Sequence, residues 1–248
     1  MVYFFDKEAP LEQIYMIPVS EAFEACAGKV ECGCPICSLY KKLQTDELDI
    51  ILGASMMEPD IRIKTNEMGF CPTHYNMMLG RRRMLGMGLM MESHLSEVRK
   101  MLDGTVVLGD KRAAALGALG KLEGDCYVCG RINRNLSAMI STTVYLWQCD
   151  YNGFRKRFSE QTWFCMPHYR AMLEYASKKL PKKTYREFYD SAYAVQDKYL
   201  KTLSEDVSWF CKKFDYRYDE EPWYNSKDSV KRAIRFLGGC FGEDESVK

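Results

Sequence analysis

Long apolar runs are missing from this 248-residue chain, and its charges nearly balance. No segment approaches the roughly 18 uninterrupted apolar residues of a membrane-spanning helix. The first twenty residues, MVYFFDKEAPLEQIYMIPVS, have neither a basic start nor an unbroken apolar stretch, so no secretory signal peptide is predicted. A formal net charge of +1 gives no overall attraction for nucleic acid or an anionic membrane. We therefore expect a cytoplasmic protein with no membrane or nucleic-acid partner.

Common catalytic motifs are absent as well. The chain contains no P-loop, GxGxxG, GxSxG, HExxH or kinase signature, so a role as an enzyme is not favoured. Histidine is scarce, with three residues, whereas cysteine is abundant, with eleven. In a reducing cytoplasm these cysteines are not expected to form disulfides, so any clustering among them would indicate a metal or redox site.

The cysteines do cluster, in two matching series. Each series reads CxxC and then, after 33 residues in the first and 35 in the second, CxxH. The first series is Cys34, Cys37, Cys71 and His74, and the second is Cys126, Cys129, Cys165 and His168. The first cysteines are 92 residues apart and the histidines 94. This near-constant offset indicates an internal duplication.

The ligand types and their spacing predict metal binding. Two residues between paired ligands allow both side chains to face one ion at a tight turn or in a first helical turn. Three thiolates and one imidazole are a tetrahedral set typical of structural Zn(II), with no position left open for a substrate. We expect each repeat to hold its own ion, which gives two per chain. An iron–sulfur cluster is the alternative, because histidine can replace cysteine on iron.

The other cysteines leave one ligand assignment open. The stretch CAGKVECGCPIC has four thiols within twelve residues, so Cys32 could replace Cys34 in the metal shell. The second repeat has no counterpart of Cys32, and this favours Cys34. Three further cysteines, Cys149, Cys211 and Cys240, have no partner at ligand spacing and are predicted to be structural.

Apolar residues recur at three- and four-residue steps and alternating strand patterns are missing, so we predict an all-α fold. Proline and glycine mark several helix boundaries. In the two repeats the predicted helices cover 34–53, 58–69, 71–79, 129–149, 152–161 and 167–180. One long helix over 182–214 follows, and then a last helix with Ser226 as its N-cap.

We predict a single compact domain over 1–248. Repeat one covers about 30–104, a linker helix about 105–122, repeat two about 123–180, and C-terminal helices about 181–240. The ligand pairs lie at helix starts, where partial positive charge and free amides stabilise thiolates. An ion bound there would clamp two helix ends, and its binding energy would contribute to folding.

The repeated order of CxxC, helix, short helix and FCxxHY resembles an uncharacterised family of bacterial proteins found chiefly in anaerobes. The stretches SMMEPDIRIKTNEMGFC (Ser55–Cys71) and PWYNSKDSVKRAI (Pro222–Ile234) are similar to its recurring segments, and the likeness covers almost the whole chain. The resemblance implies the fold and the four-ligand pattern, but neither an activity nor a catalytic residue.

The third histidine belongs to a methionine-rich segment. A heptad-like seam is formed there by Met77, Met84, Met87, Met91, His94, Val98 and Met101. Such a groove could bind a soft ion such as Cu(I), a haem or a partner helix. We favour the simpler interpretation, an adaptable core with a hydrogen-bonded histidine.

Together, these patterns favour a non-catalytic protein with two structural zinc sites that presents a helical surface to a protein or a small ligand. Two alternatives remain open. One is an iron–sulfur or thiol-based redox protein, and the other is a metal-handling protein that passes zinc or copper on.

Overall fold

Eleven α-helices make up most of the part of the chain that the structure, a computed structural model, describes: residues 13–103 and 110–239. Neither range contains a strand, so the predicted all-α class is confirmed. The helices are α1 (Met16–Cys26), α2 (Pro35–Ile51), α3 (Pro59–Met68), α4 (Pro72–Gly80), α5 (Met84–Asp103), α6 (Lys111–Gly124), α7 (Tyr127–Gln148), α8 (Phe154–Ser159), α9 (Met166–Lys179), α10 (Lys182–Lys212) and α11 (Ser229–Gly238). Within the described ranges, none of them is long and apolar enough to span a membrane.

Proline and glycine set the helix boundaries around the first CxxH pair. Pro59 and Pro72 stand at the first positions of α3 and α4, where a missing backbone N–H breaks no helical hydrogen bond. Gly69 ends α3 with a φ of 58°, a left-handed conformation that side chains disfavour. The turn between Gly69 and Pro72 therefore places Cys71 directly before α4.

Two details of the helix assignment differ from the sequence-based predictions. Helix α1 was not among the predicted helices, and Pro18 in its first turn hides the helical pattern without breaking the helix. The predicted N-cap Ser226 is wrong, because α11 begins three residues later, with Asp228 at the N-cap position. The Ser226 hydroxyl donates instead to the carbonyl oxygen of Trp223, at 2.7 Å.

The predicted methionine seam is not one continuous helical face. Helices α4 and α5 are separated by a turn in which Arg82 has a φ of 56°. Met84 is 60% exposed at the start of α5, whereas Met87 is buried. His94 is also buried, and its Nδ1 lies 3.1 Å from the carbonyl oxygen of Asn66. This geometry agrees with a hydrogen-bonded core histidine.

The chain divides into two compact units whose limits do not follow the two repeats. One unit comprises the described residues up to Tyr40 and from Leu136 onward, and the other comprises Lys41–Asn135. Helices α2 and α7 each contribute residues to both units. The linker helix predicted at about 105–122 corresponds to α6, and residues 104–109 lie outside the described ranges. That the whole chain folds as a single domain stays a prediction.

Candidate metal centres

Two clusters each bring three cysteine thiols and one imidazole together. Cluster A consists of Cys34, Cys37, Cys165 and His168, and cluster B of Cys71, His74, Cys126 and Cys129. Within each cluster the four donor atoms all lie within 4.8 Å of one another, an arrangement that could hold a metal ion. All eight predicted ligands are thus grouped into two sets of four.

The grouping differs from the predicted one. Each cluster takes its CxxC pair from one repeat and its CxxH pair from the other. The expectation that each repeat holds its own ion is therefore wrong. Both groupings use the same residue types at the same local spacing, so the ligand pattern alone does not distinguish them. Contacts between distant segments of the chain bring together the pairs that form each cluster.

Close backbone packing brings the two halves of cluster A together. A Cβ atom at Gly33 would lie 3.0 Å from the ring of Trp163, and Gly33 has a φ of 72°, so glycine is required one residue before Cys34. The amide of Gly28 donates to the carbonyl oxygen of Glu160, at 2.8 Å. These two contacts join the loop before the CxxC pair to the segment before the CxxH pair.

A buried glutamine fixes the backbone next to Cys165. The side-chain amide of Gln196, on α10, accepts from the N–H of Phe164 and donates to its carbonyl oxygen, both at 2.9 Å. Phe164 also packs in a cluster of buried phenylalanines, with its ring centroid 5.0 Å from that of Phe158. Sequence reasoning missed Gln196, because a single glutamine on an amphipathic helix gives no local signal of its partner.

A backbone hydrogen bond joins the two ligand segments of cluster B. The amide of Tyr127 donates to the carbonyl oxygen of Gly69, at 3.0 Å. Tyr127 directly follows Cys126, and Gly69 lies two residues before Cys71. A buried carboxylate supports the same region, because Arg131 donates through Nε to both oxygens of Glu47, at 3.2 Å each.

Every ligand pair lies at the N-terminus of a helix. Cys71 and Cys165 are the N-cap residues of α4 and α9, and Cys34 and Cys126 directly precede α2 and α7. Each cluster therefore lies beside two helix N-termini, whose partial positive charge stabilises thiolates. This part of the sequence-based prediction is retained, although the helices are paired differently.

The donor atoms of cluster A have the spacing of a tetrahedral site. Nδ1 of His168 lies 3.7, 3.4 and 3.1 Å from the Sγ atoms of Cys34, Cys37 and Cys165. The Sγ atoms of Cys37 and Cys165 are 3.5 Å apart. Bonds of about 2.3 Å to sulfur and about 2.0 Å to nitrogen give tetrahedral edges of about 3.8 Å between sulfurs and about 3.5 Å from sulfur to nitrogen.

Cluster B has the same dimensions and uses the same imidazole nitrogen. Nδ1 of His74 lies 3.2 Å from Sγ of Cys71 and 3.4 Å from Sγ of both Cys126 and Cys129. The Sγ atoms of Cys71 and Cys129 are 3.8 Å apart. The residues present in both clusters thus fit a single four-coordinate ion, bound by three sulfurs and one Nδ1.

A family model matches residues 11–244, nearly the full chain. The chain belongs to DUF6062, a family of unknown function. The expected membership of an uncharacterised family is thereby confirmed, while the association with anaerobic bacteria stays a prediction. No curated protein and no solved structure matches the chain. Membership of DUF6062 brings no activity with it.

Within each cluster of this DUF6062 chain, the pKa is lowered for one thiol and raised for another. In cluster B, a hydrogen bond from Cys129 lowers the pKa of Cys126 to about 3, and the same bond raises the pKa of Cys129. In cluster A, burial raises the pKa of Cys34, but hydrogen bonds from Cys165 and Cys37 outweigh it and hold that pKa well below its usual value. The bond to Cys34 in turn raises the pKa of Cys165.

The pKa is thus lowered for the first cysteine of each CxxC pair, Cys34 in cluster A and Cys126 in cluster B. The pKa of Cys129 and of Cys165 is raised chiefly by the hydrogen bond that each makes to that first cysteine, and burial and charge repulsion add to the effect. Metal ions bind the thiolate form of cysteine, so binding of a divalent cation is expected to release the protons of Cys129 and Cys165.

The two clusters differ in exposure. All four ligands of cluster A are buried, whereas Cys71 and Cys129 of cluster B are partly exposed. The residues of cluster B are therefore more accessible to a reagent in solution than those of cluster A.

The remaining cysteines depart in part from expectation. Cys26 and Cys32 form a disulfide, so the expectation that no cysteine is oxidised is wrong for this pair, and Cys32 does not replace Cys34. A separation of six residues and a turn at Gly28 bring the two thiols together. Cys149 and Cys211 are exposed. Cys240 lies outside the described residues.

Proposed function

We propose that each cluster binds one Zn(II) ion and that the two ions are structural cross-links. The observation that carries this proposal is that both clusters contain a complete Cys3His set of tetrahedral size. The linked segments are far apart along the chain, with separations of 128 to 134 residues in cluster A and 52 to 58 in cluster B. An ion in each cluster would close these long loops and hold two helix N-termini together.

The compactness of the clusters supports a single ion over an iron–sulfur cluster. An iron–sulfur cluster contains several irons bridged by sulfides, and its protein ligands surround this whole group. The sulfur-to-sulfur distances of 3.5 and 3.8 Å leave room for one atom between the ligands. Three thiolates with one imidazole suit zinc among the single ions.

A structural role is supported by the closed shells. Catalytic zinc has three protein ligands and an open position, whereas each of these clusters supplies four. We further propose that the cross-linked helices present a surface to a protein or small ligand. Exposed rings of Phe214, Tyr216 and Tyr224 after the long helix α10 support such a surface, because large apolar groups in solvent often mark interaction sites.

A second candidate function, transfer of metal to another protein, is favoured by one observation. Cys71 and Cys129 are partly exposed, so an acceptor thiol could attack the ion of cluster B by ligand exchange. Cluster A, with every ligand buried, offers no such approach.

Elemental analysis combined with native mass spectrometry tests the zinc proposal. Protein purified without oxygen is expected to be colourless and to carry two zinc ions per chain, one of which is lost in Cys37→Ser and the other in Cys129→Ser. Preparation without oxygen matters, because it preserves any iron–sulfur cluster that is present. Brown protein that contains iron and sulfide, or protein that binds no metal in either cluster, would contradict the proposal.

A further inference from the structure

Helix α2 carries a polar side chain that contacts His74 of cluster B at the ring nitrogen that does not face the thiols. The side-chain amide nitrogen of Gln44 lies 3.2 Å from Nε2 of His74. Nδ1 of the same ring faces the three thiols of the cluster. His74 is only 2% exposed, so its ring is held at both nitrogens in a space that water hardly reaches.

The two ring nitrogens of His74 have opposite hydrogen-bonding roles in the two neutral tautomers. In the tautomer with its proton on Nδ1, Nδ1–H donates to a sulfur of the cluster and Nε2 accepts from the side-chain amide of Gln44. With an ion on Nδ1, the proton of the neutral ring resides on Nε2, which then needs an acceptor. A half-turn of the Gln44 amide exchanges its nitrogen for its oxygen at nearly the same position. Glutamine can therefore form a hydrogen bond with Nε2 of His74 in both tautomers, whereas an apolar side chain can do so in neither.

The matching position in the second repeat differs. Gln44 lies seven residues after Cys37, and the residue seven after Cys129 is Leu136, which is buried and has no hydrogen-bonding side chain. The contact is therefore not a general consequence of the duplicated pattern. It belongs to His74 and cluster B.

We propose that Gln44 is a positioning residue for metal binding in cluster B. By accepting a hydrogen bond from Nε2–H of His74, it fixes the tautomer and the ring orientation that direct Nδ1 to the ion. Outer partners of this kind typically contribute 10- to 100-fold to metal affinity. This inference rests on the proposed metal binding and adds a residue to it that touches no metal itself.

Two substitutions at position 44 test the proposal, because only one of them is expected to weaken zinc binding. Gln44→Leu has a similar size and no acceptor, so zinc affinity of cluster B is expected to fall about 10- to 100-fold. Gln44→Glu can only accept while ionised, so it favours the metal-bound tautomer, and affinity is expected to be equal to or higher than that of the wild type. Competition with a chromophoric chelator at fixed pH measures both affinities, and the absorption of the cobalt-substituted protein reports the coordination geometry.

Two controls separate this effect from charge and from folding. Gln148→Glu adds the same charge at an exposed position on α7 and is expected to leave both affinities unchanged. The affinity of cluster A in the same molecules reports whether the fold is intact. If Gln44→Leu fails to fold, Gln44→Glu still tests the proposal. A merely structural role of Gln44 predicts weaker zinc binding in Gln44→Glu, whereas the proposed role predicts equal or tighter binding.

The proposal is overturned if both substitutions lower the affinity of cluster B equally, or if neither changes it while the wild type binds two ions. Failure of the wild type to bind zinc in cluster B would overturn the proposed function together with this inference. The two failures are therefore distinguishable in one set of titrations.

Discussion

At the scale of single residues, exposure distinguishes two sites that have the same ligand types. His168 is fully buried in cluster A, whereas Cys71 and Cys129 of cluster B reach the surface in part. The eight candidate ligands were predictable from the sequence, because metal preference follows from side-chain chemistry and local spacing. The difference in exposure was not, because it depends on which distant segments cover each sulfur.

This difference predicts an order of metal loss. A chelator should remove the ion from cluster B before the ion from cluster A, so Cys71 and Cys129 should become reactive toward an alkylating reagent before Cys34 and Cys37. Mass spectrometry of the alkylated peptides over time measures the order. Exposed Cys149 provides the control, because it should react at the same rate in the loaded and the chelated protein.

Two results would change the interpretation. Simultaneous release from both clusters, or release from cluster A first, would contradict the proposed effect of exposure. Release from cluster B with the circular dichroism of the helices unchanged would favour metal transfer over a structural role for that ion.

At the scale of elements, most helices were predictable because their boundaries follow from local chemistry. Pro59, Pro72 and Gly69 mark the limits of α3 and α4 in the sequence itself. The end of α4 was harder to predict from the sequence, because the turn after it includes Arg82 in a left-handed conformation, which is uncommon for arginine. The turn that it forms divides a methionine pattern that looks continuous in the sequence.

A pair of glycines before the first CxxC pair provides a test at this scale. Gly28 and Gly33 both have positive φ values, of 68° and 72°, so alanine at either position introduces similar backbone strain. Only at Gly33 would the new Cβ atom also meet the ring of Trp163, whereas at Gly28 no atom lies within 4 Å. We expect Gly33→Ala to lose zinc from cluster A, and Gly28→Ala to retain two ions with a loss of stability of about 1–2 kcal/mol.

The free energy of unfolding and the number of bound zinc ions check this prediction. Equal effects of the two substitutions would mean that close packing of Trp163 against Gly33 does not hold the halves of cluster A together. Cluster B should keep its ion in both variants, because neither glycine belongs to the unit that contains it.

At the scale of the whole molecule, the repeated spacing of cysteine and histidine describes the sequence but not the grouping of these residues into clusters A and B. The repeats would each be complete if they folded separately, since each contains three cysteines and one histidine at ligand spacing. The folded chain exchanges the CxxH pairs between them, through packing of Gly33 against Trp163 and the bond from Tyr127 to Gly69. No local pattern reveals such long-range contacts, which is why the sequence predicts the ligands and not their partners.

The exchange of ligand pairs is the central claim, and counting zinc ions in two double variants tests it most directly. Cys37→Ser with Cys165→Ser removes two ligands of cluster A, so native mass spectrometry should find one zinc ion, retained in cluster B. Cys37→Ser with Cys71→Ser removes one ligand from each cluster and should leave no zinc ion. If each repeat held its own ion, the counts would be reversed: none in the first variant and one in the second. That reversed result would contradict the account.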